Sequence, residues 1–121
     1  MIIEVRSDSL IPPDDQIRTQ IETMAVSGVL PPGHQLPSIR QLAADLGLAA
    51  GTVARAYREL EAGGVVVTRT GRGTSIAATA PHLSERERRA RLVTAARDYV
   101  AAIRRLGVGQ DQALAAVRDL L

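Results

Sequence analysis

The chain has 121 residues, 45% of them hydrophobic, which suffices for one compact domain and an appendage but not for a second large core. It contains no cysteine, and all 15 basic residues are arginines, so disulfides, thiolate zinc sites, thiol nucleophiles and lysine Schiff bases are excluded. The net charge is only +2, and the two histidines lack metal-ligand spacing, so we expect no metal and no cofactor. Without a recognisable leader or a membrane-length apolar run, a cytoplasmic protein with no membrane contact is expected.

The first part of the chain predicts a short extended segment followed by a helix. Residues 2–5 form an apolar stretch that is typical of a minor strand or a strap. The two prolines and two aspartates of residues 12–15 should open the helix, since proline fits the first turn and carboxylates stabilise its positive end. Gly28 should end it, and Leu36 is expected to pair as a single rung with a later strand. The buried stripe of this helix should comprise Ile17, Ile21, Met24 and Ala25.

Residues 38–64 predict two short amphipathic helices joined by a tight turn, which is a helix-turn-helix. Ser38 is a good N-cap for the first helix, and Gln41 would complete a capping box with it. Gly47 suits a left-handed C-cap between the helices, and residues 63–64 should end the second helix. The buried stripes should comprise Ile39, Leu42, Ala43 and Leu46 in the first helix and Val53, Ala56, Tyr57 and Leu60 in the second.

The exposed face of the second helix carries chemistry that suits a DNA major groove. It presents Thr52, Arg55 and Arg58, which supply a hydroxyl and two guanidinium groups. An ordinary helical hairpin with a solvated charged face is an equally good interpretation of this pattern taken alone. For Arg58, an ion pair with Glu59 or Glu61 is expected ahead of a DNA contact.

Residues 65–77 favour the DNA-binding interpretation, because they predict a β-hairpin directly after the second helix. β-Branched residues flank a flexible basic tip made of Gly71, Arg72 and Gly73. A helix-turn-helix followed by such a hairpin is a winged helix. Arg69 and Arg72 would lie within reach of the DNA backbone or minor groove, and the glycines permit a close approach.

The composition changes near residue 80, so we assign residues 1–80 to a winged helix-turn-helix domain and residues 81–121 to a two-helix dimerisation region. Ser84 and Glu87 form a capping box for a long helix that should run to about Leu106. Along it, apolar residues recur in alternating steps of four and three, which is typical of a dimerisation seam. The seam comprises Leu92, Ala96, Tyr99, Ile103 and Leu106.

A second, shorter amphipathic helix is expected over residues 110–121, after a glycine-rich break. The alternative to a dimer is that both tail helices pack back on the winged helix in a monomer. Two helices are too few to enclose a ligand cavity, which leaves the existence of an effector open. The expected fold is therefore mainly α, with a small β wing.

Four segments lie in register along residues 12–77: GVLPPG at 28–33, LPSIRQLA at 36–43, YRELE at 57–61 and GRGT at 71–74. Together they resemble the DNA-binding domain of the GntR family of bacterial transcription regulators. The resemblance is specific, because it fixes the turn, the cap, the recognition helix and the wing at once rather than one short motif.

The resemblance implies that Arg40 contacts the DNA backbone or a base from the start of its helix. It implies a recognition-helix role for Thr52 and Arg55, and it makes the residues of the wing tip, with Arg69 beside them, part of the DNA-binding surface. The chain departs from the family pattern at residues 49–51 and at Ala54, where small side chains replace the usual cap and base-contacting groups. Backbone approach and the wing are therefore expected to carry more of the specificity.

The short tail resembles the YtrA-like branch of the family, whose members dimerise through two C-terminal helices and are commonly repressors. We therefore expect a homodimeric, sequence-specific regulator that represses transcription by binding an inverted-repeat operator in double-stranded DNA. The alternative is a winged helix that binds protein or RNA without recognising an operator. Some family members carry an aminotransferase-like domain, but the absence of lysine excludes that catalysis here, so the chain is not expected to be an enzyme.

Overall fold

In a computed structural model that describes residues 2–121, the chain forms five helices and one two-stranded antiparallel sheet. The elements in order are α1 (Pro13–Ser27), α2 (Ile39–Leu46), α3 (Ala50–Ala62), β1 (Val66–Arg69), β2 (Gly73–Ile76), α4 (Glu85–Leu106) and α5 (Gln110–Leu120). This arrangement confirms the predicted winged helix-turn-helix, mainly α with a small β wing and with two C-terminal helices. None of the helices within residues 2–121 combines the length and the apolar character needed to cross a membrane.

The chain divides into two compact units, the first ending at Leu83 and the second running from Ser84 to Leu121. The first unit continues a few residues beyond the sequence boundary at residue 80. Ala80 is buried, and the backbone N–H of Leu83 donates to the carbonyl oxygen of Val26 at 2.7 Å. These contacts fasten the segment after the wing to the end of α1.

The ends of α2 are set by its two flanking residues. Ser38 caps the helix, because its Oγ accepts a hydrogen bond from the backbone N–H of Gln41 at 3.0 Å. The other half of the predicted capping box is not formed, since the Gln41 side chain donates to Asp45 Oδ1 at 2.7 Å instead. Gly47 follows the helix with a φ of +67°, a left-handed conformation that glycine adopts without strain.

The core of the first unit lies where α3 packs against both α1 and α2. The predicted stripe of α3 is buried throughout, and Leu48 helps to fill the corner between α2 and α3. In the other two helices the stripes are confirmed, although Met24, Ile39 and Leu46 lie at the edge of the core and are only partly buried. The fully or nearly buried residues of the three helices are Ile17, Ile21, Ala25, Leu42, Ala43, Val53, Ala56, Tyr57 and Leu60.

Residues 2–6 form an extended strap along α1, and the predicted stretch at residues 2–5 within it is not a strand. The side-chain amide of Gln20 accepts from the backbone N–H of Glu4 at 3.0 Å and donates to its carbonyl oxygen at 2.7 Å. Gln16 makes the same two bonds with Arg6, at 2.8 and 3.0 Å. Two glutamines one helical turn apart thus pair with alternate residues of the strap, in the way that a neighbouring strand would.

The predicted hairpin is present, with β1 and β2 paired antiparallel so that Arg69 lies opposite Gly73. The sequence places Gly73 in the flexible tip, whereas in the structure it begins β2. The turn itself therefore comprises residues 70–72, and it is closed by a hydrogen bond from the N–H of Arg72 to the carbonyl oxygen of Arg69 at 2.9 Å.

A one-residue strand before α2 pairs with the wing through a single β-bridge. The bridge is made by Gln35, which pairs antiparallel with Ser75, and not by Leu36 as the sequence predicts. Leu36 still takes part, because its backbone N–H donates to the carbonyl oxygen of Thr74 at 2.9 Å while its side chain is buried. The wing is thus attached to the segment that leads into the helix-turn-helix.

The second unit is a pair of helices, and α4 and α5 begin and end close to the residues that the sequence predicts. Ser84 caps α4, with its Oγ accepting from the N–H of Glu87 at 3.1 Å. The connection between the helices begins at Gly107. Tyr99 on α4 donates its hydroxyl hydrogen to the carbonyl oxygen of Ala113 on α5 at 2.7 Å, which holds the two helices together.

Tyr57 joins α3 to the segment that precedes α2. The residue is 3% exposed, as the predicted core position requires, and its hydroxyl donates to the carbonyl oxygen of Pro37 at 2.7 Å. Burial raises the pKa of Tyr57 to about 12, because the charged phenolate would be poorly solvated there. The neutral, hydrogen-bonded form is therefore the one that supports the fold.

We expect Tyr57→Phe to lower the free energy of unfolding by about 1 kcal/mol at neutral pH, since one buried hydrogen bond is lost. Above pH 10 the unfolded chain releases the Tyr57 proton while the folded chain keeps it until about pH 12, so the native protein loses stability as pH rises through this range. The variant lacks this loss. Urea unfolding of both proteins at pH 7 and near pH 11 should show the stability difference shrinking; an unchanged difference would contradict the assignment.

Candidate nucleic-acid interface

The recognition helix α3 owes its orientation to its buried side, which leaves Arg55 and Arg58 exposed and Thr52 half-buried near its start. The helix begins after Ala49, which offers no side-chain cap, as the small residues of the sequence predict. Its first backbone N–H groups consequently lack a side-chain acceptor. The outward face thus combines one hydroxyl, two guanidinium groups and an uncapped helix start.

Arg55 is paired within the protein. Its Nε lies 3.4 Å from Asp14 Oδ2 on α1 and 3.4 Å from Glu59 Oε1 on α3, while 66% of its side chain stays exposed. Arg58 takes part in no salt bridge within residues 2–121, so its predicted ion pair with a neighbouring glutamate is not formed. The carboxylate of Glu59 instead forms salt bridges with Arg55 and, at 3.3 Å, with Arg18.

Arg40, Arg69 and Arg72 are exposed, and they too form no salt bridge in the described part of the chain. Arg40 is the second residue of α2. Arg69 ends β1 and Arg72 lies in the turn of the wing, so both are carried by the hairpin. Their charges are available to an anionic partner without breaking an ion pair.

The wing tip is braced by Gln35, a residue that the sequence did not single out. Its Nε2 donates to the carbonyl oxygen of Arg72 at 2.6 Å. A Cβ added to Gly73 would lie 2.7 Å from that nitrogen, and Gly73 has a φ of +76°. The hydrogen bond from Gln35 therefore requires glycine at position 73. The only local signal in the sequence for this hydrogen bond is a polar residue beside the buried Leu36.

The wing also has a fixed base on α3. The N–H of Val65 donates to the carbonyl oxygen of Leu60 at 2.9 Å. The N–H of Ala77 in turn donates to the carbonyl oxygen of Val65 at 2.9 Å. The structure thus carries the predicted DNA-binding residues on connected elements of the first unit, with Gly71 in the turn. Their contacts with DNA remain predictions.

Three carboxylates, those of Asp14, Asp15 and Glu59, have oxygens within 4.8 Å of one another. Arg18 lies 3.6 Å from Asp15 and 3.3 Å from Glu59, and Arg55 lies 3.4 Å from Asp14. These guanidinium groups already supply positive charge to the cluster, so we assign it to ion pairing between α1 and α3.

Comparison with known proteins agrees with this geometry. Residues 13–76 match the family described as bacterial regulatory proteins, gntR family. The chain belongs to the GntR family. The matched residues include α1, the helix-turn-helix and the whole wing, and they account for more than half of the chain.

Individual relatives of this GntR-family regulator extend the likeness beyond the residues that the family model matches. The HTH-type transcriptional regulator Rv1152 of Mycobacterium tuberculosis is 45% identical over 100 residues, which cover 83% of this chain and 78% of that protein. The HTH-type transcriptional repressor YtrA of Bacillus subtilis is 38% identical over 79 residues, or 65% of this chain and 61% of YtrA.

A solved structure of YtrA from Sulfolobus acidocaldarius, described as a GntR-family transcription factor, superposes with a TM-score of 0.59 and 34% identity. It covers 83% of this chain and 99% of its own. The likeness to two YtrA proteins assigns the chain to the YtrA-like subfamily, as the sequence predicts. Rv1152 is named as a transcriptional regulator and YtrA of Bacillus subtilis as a transcriptional repressor, and the family is one of regulatory proteins rather than enzymes.

The brace at the wing tip gives a matched pair of variants. Gly71 and Gly73 have φ values of +77° and +76°, so alanine at either position should destabilise the wing by about 1–2 kcal/mol through backbone strain. Nothing lies within 4 Å of a Cβ at Gly71. Gly73→Ala should therefore cost about 1 kcal/mol more, because it displaces Gln35 from its hydrogen bond.

Urea denaturation of both alanine variants, alone and combined with Gln35→Ala, measures this difference. In the Gln35→Ala background the two glycine positions should become equivalent. Equal losses of stability in the unmodified background would show that the brace contributes nothing to the wing.

Proposed function

We propose that this GntR-family regulator is a sequence-specific DNA-binding protein that acts as a homodimeric repressor on an inverted-repeat operator, in the cytoplasm. The observation that carries the proposal is a winged helix with exposed arginines on α2, on the recognition helix and on the wing. Among the predicted contacts in the described residues, Arg40, Arg69 and Arg72 are unpaired, whereas Arg55 is held in ion pairs. A repressor role is supported by the name of its relative YtrA from Bacillus subtilis.

In this proposal α3 lies in the major groove with Thr52 and Arg55 facing the duplex, as recognition helices of helix-turn-helix proteins do. Arg40 contacts the backbone from the start of α2. Arg69 and Arg72 reach the backbone or the minor groove from the wing. The departure at residues 49–51 shifts specificity toward the wing and toward sequence-dependent DNA shape, because alanine and glycine side chains cannot hydrogen-bond to base edges.

Homodimerisation is supported by the apolar surface that α4 and α5 leave exposed. Leu92 and Leu106 are 70% and 75% exposed, and Ala113 is the one buried residue between 84 and 121. The two helices border an open apolar groove of about 650 Å³, lined in part by Tyr99 and Ile103. Exposed apolar surface of this extent is typical of a protein interaction site, and a second copy of the same helices would cover it.

A dimer would also recognise both halves of an operator, which one winged helix cannot do. A single domain reads only a half-site, and two-fold symmetry places two recognition helices in major grooves about 34 Å or a multiple apart. Linking two weak half-site contacts raises the overall affinity by about 10²–10⁴ without any new base contact. The proposed seam would therefore turn a weak DNA-binding domain into an operator-binding protein.

Selection from random-sequence duplexes tests the proposal as a whole. We expect enrichment of an inverted repeat whose half-sites are spaced by about one turn of DNA or a multiple. If no sequence is enriched over the starting pool, the alternative of a protein- or RNA-binding winged helix replaces operator recognition.

Operator affinity should fall steeply with salt. A dimer that places three or four arginines of each subunit on phosphates neutralises about 6–8 phosphates, so the slope of log affinity against log salt should be roughly −5 to −7. Fluorescence anisotropy between low and moderate salt measures it. A slope shallower than about −2 would contradict the extended phosphate contact.

The Arg72→Ala variant should weaken binding and flatten that slope without changing the melting temperature, because the exposed turn contributes no core packing. Arg6→Ala is the control, since it removes an exposed arginine at the end of the strap that is paired with Asp8. Loss of thermal stability in Arg72→Ala would mean that the arginine is structural.

Dimerisation should depend on the seam of α4. We expect Leu92→Glu to make the full chain sediment as a monomer at micromolar concentration and to abolish most operator affinity, because a charge would be buried in the interface. Thr94→Glu is the matched control, since two residues along a helix lies on nearly the opposite side. A dimer that survives Leu92→Glu, or a native chain that is monomeric and still binds its operator tightly, would overturn this role for the tail.

A further inference from the structure

We propose that Asp14 limits the DNA affinity of this protein by holding Arg55 in an ion pair that competes with DNA phosphate. The inference rests on the proposed function of Arg55 as a DNA contact and deepens it. It concerns an aspartate in the first turn of α1, a position that sequence reasoning assigns only to the helix dipole.

The pair belongs to a network of charged side chains that joins α1 to α3, here called the α1–α3 network. Each salt bridge in it is between 3.1 and 3.6 Å long. The network has four carboxylates and two guanidinium groups, and thus a net charge of −2. Its members are Asp14, Asp15, Arg18, Glu22, Arg55 and Glu59.

Positive charge is scarce within this network. Arg18 is shared by three carboxylates, those of Asp15, Glu22 and Glu59, at 3.6, 3.1 and 3.3 Å. Arg55 is the one cation that pairs with Asp14 in the described part of the chain. If Arg55 moves to a phosphate, Asp14 keeps two like charges within 4.8 Å and loses its only partner.

The two partners differ in freedom. The Asp14 side chain is 16% exposed and sits on a packed helix, so it cannot follow Arg55 or turn fully into water. Arg55 is 66% exposed and has a long, flexible side chain. When Arg55 moves to DNA, the Asp14 carboxylate therefore stays behind without a partner. The free energy that this costs reduces the binding free energy gained from the contact between Arg55 and phosphate.

This arrangement distinguishes Arg55 from the other arginines of the surface. Arg40, Arg58, Arg69 and Arg72 form no ion pair in residues 2–121 and give up nothing within the protein when they bind phosphate. Asp14 is thus an affinity-setting residue that acts through Arg55, and its removal should tighten binding.

The test compares Asp14→Asn with Asp15→Asn in the full chain, using fluorescence anisotropy with a mixed-sequence duplex of about 30 base pairs at low salt. We expect Asp14→Asn to bind about two- to fivefold more tightly for each subunit in contact with DNA, the range of a partly exposed ion pair. Asp15→Asn removes the same charge from the neighbouring position but leaves the Arg55 pair intact, so its gain should be clearly smaller. Circular dichroism and melting temperatures establish that both variants are folded.

A second arm uses Arg55→Gln. If competition for Arg55 is the mechanism, Asp14→Asn should give no gain in the Arg55→Gln background. An equal gain in that background, or an equal gain from Asp15→Asn, would assign the effect to the general field of a negative charge and overturn the proposal. Weaker binding by Asp14→Asn would also overturn it, since Asp14 would then be orienting Arg55 for DNA.

The same measurements separate this proposal from the proposed function. If Arg55→Gln binds DNA as tightly as the native chain, Arg55 is not a DNA contact and the competition fails, while DNA binding itself stands. If the native chain binds no DNA at low salt, it is the proposed function that fails.

Discussion

The burial of one face of α3 is the constraint on which the rest of the winged helix depends. Val53, Ala56 and Leu60 have no exposed surface, because α1 and α2 both pack against them. A helix held in this way must turn its opposite face, with residues 55 and 58, outward. The wing starts from the end of the same helix. The composition of the core therefore decides which charges the protein shows to a partner.

Features with a local cause are the ones that the sequence predicts well. An N-cap serine, a left-handed glycine and the apolar stripes of the helices are each determined within a few residues, so Ser38, Gly47 and all five helices were found where the sequence predicts them. The hairpin was found for the same reason. Its turn was misplaced by one residue, because the register of β1 and β2 depends on their pairing and not on the position of Gly73 in the sequence.

Features that the sequence did not reveal join residues far apart in the chain. Gln35 braces Arg72, and Asp14 pairs with Arg55, in contacts for which neither partner carries a local pattern. Sequence reasoning considers each side chain against its own helix, so it assigns a carboxylate in a first turn to the helix dipole. Tertiary packing of α1 on α3 gives it a second partner. The charge of the candidate site is thus shaped by residues outside the helix-turn-helix.

The strap at the start of the chain shows how two exposed positions can be held without depending on their own side chains, while Ile3 and Val5 beside them pack on the core. The hydrogen bonds from Gln16 and Gln20 to Arg6 and Glu4 involve only backbone groups of the strap, and every residue except proline offers both of those groups. Exposed positions 4 and 6 are therefore free to vary in sequence, whereas the two glutamines are not. Glutamate in place of Gln16 or Gln20 would lose the N–H donor, and asparagine there would be too short by one carbon. The hydrogen bonds that hold positions 4 and 6 are thus specified by α1, whereas Ile3 and Val5 attach the strap through their own side chains.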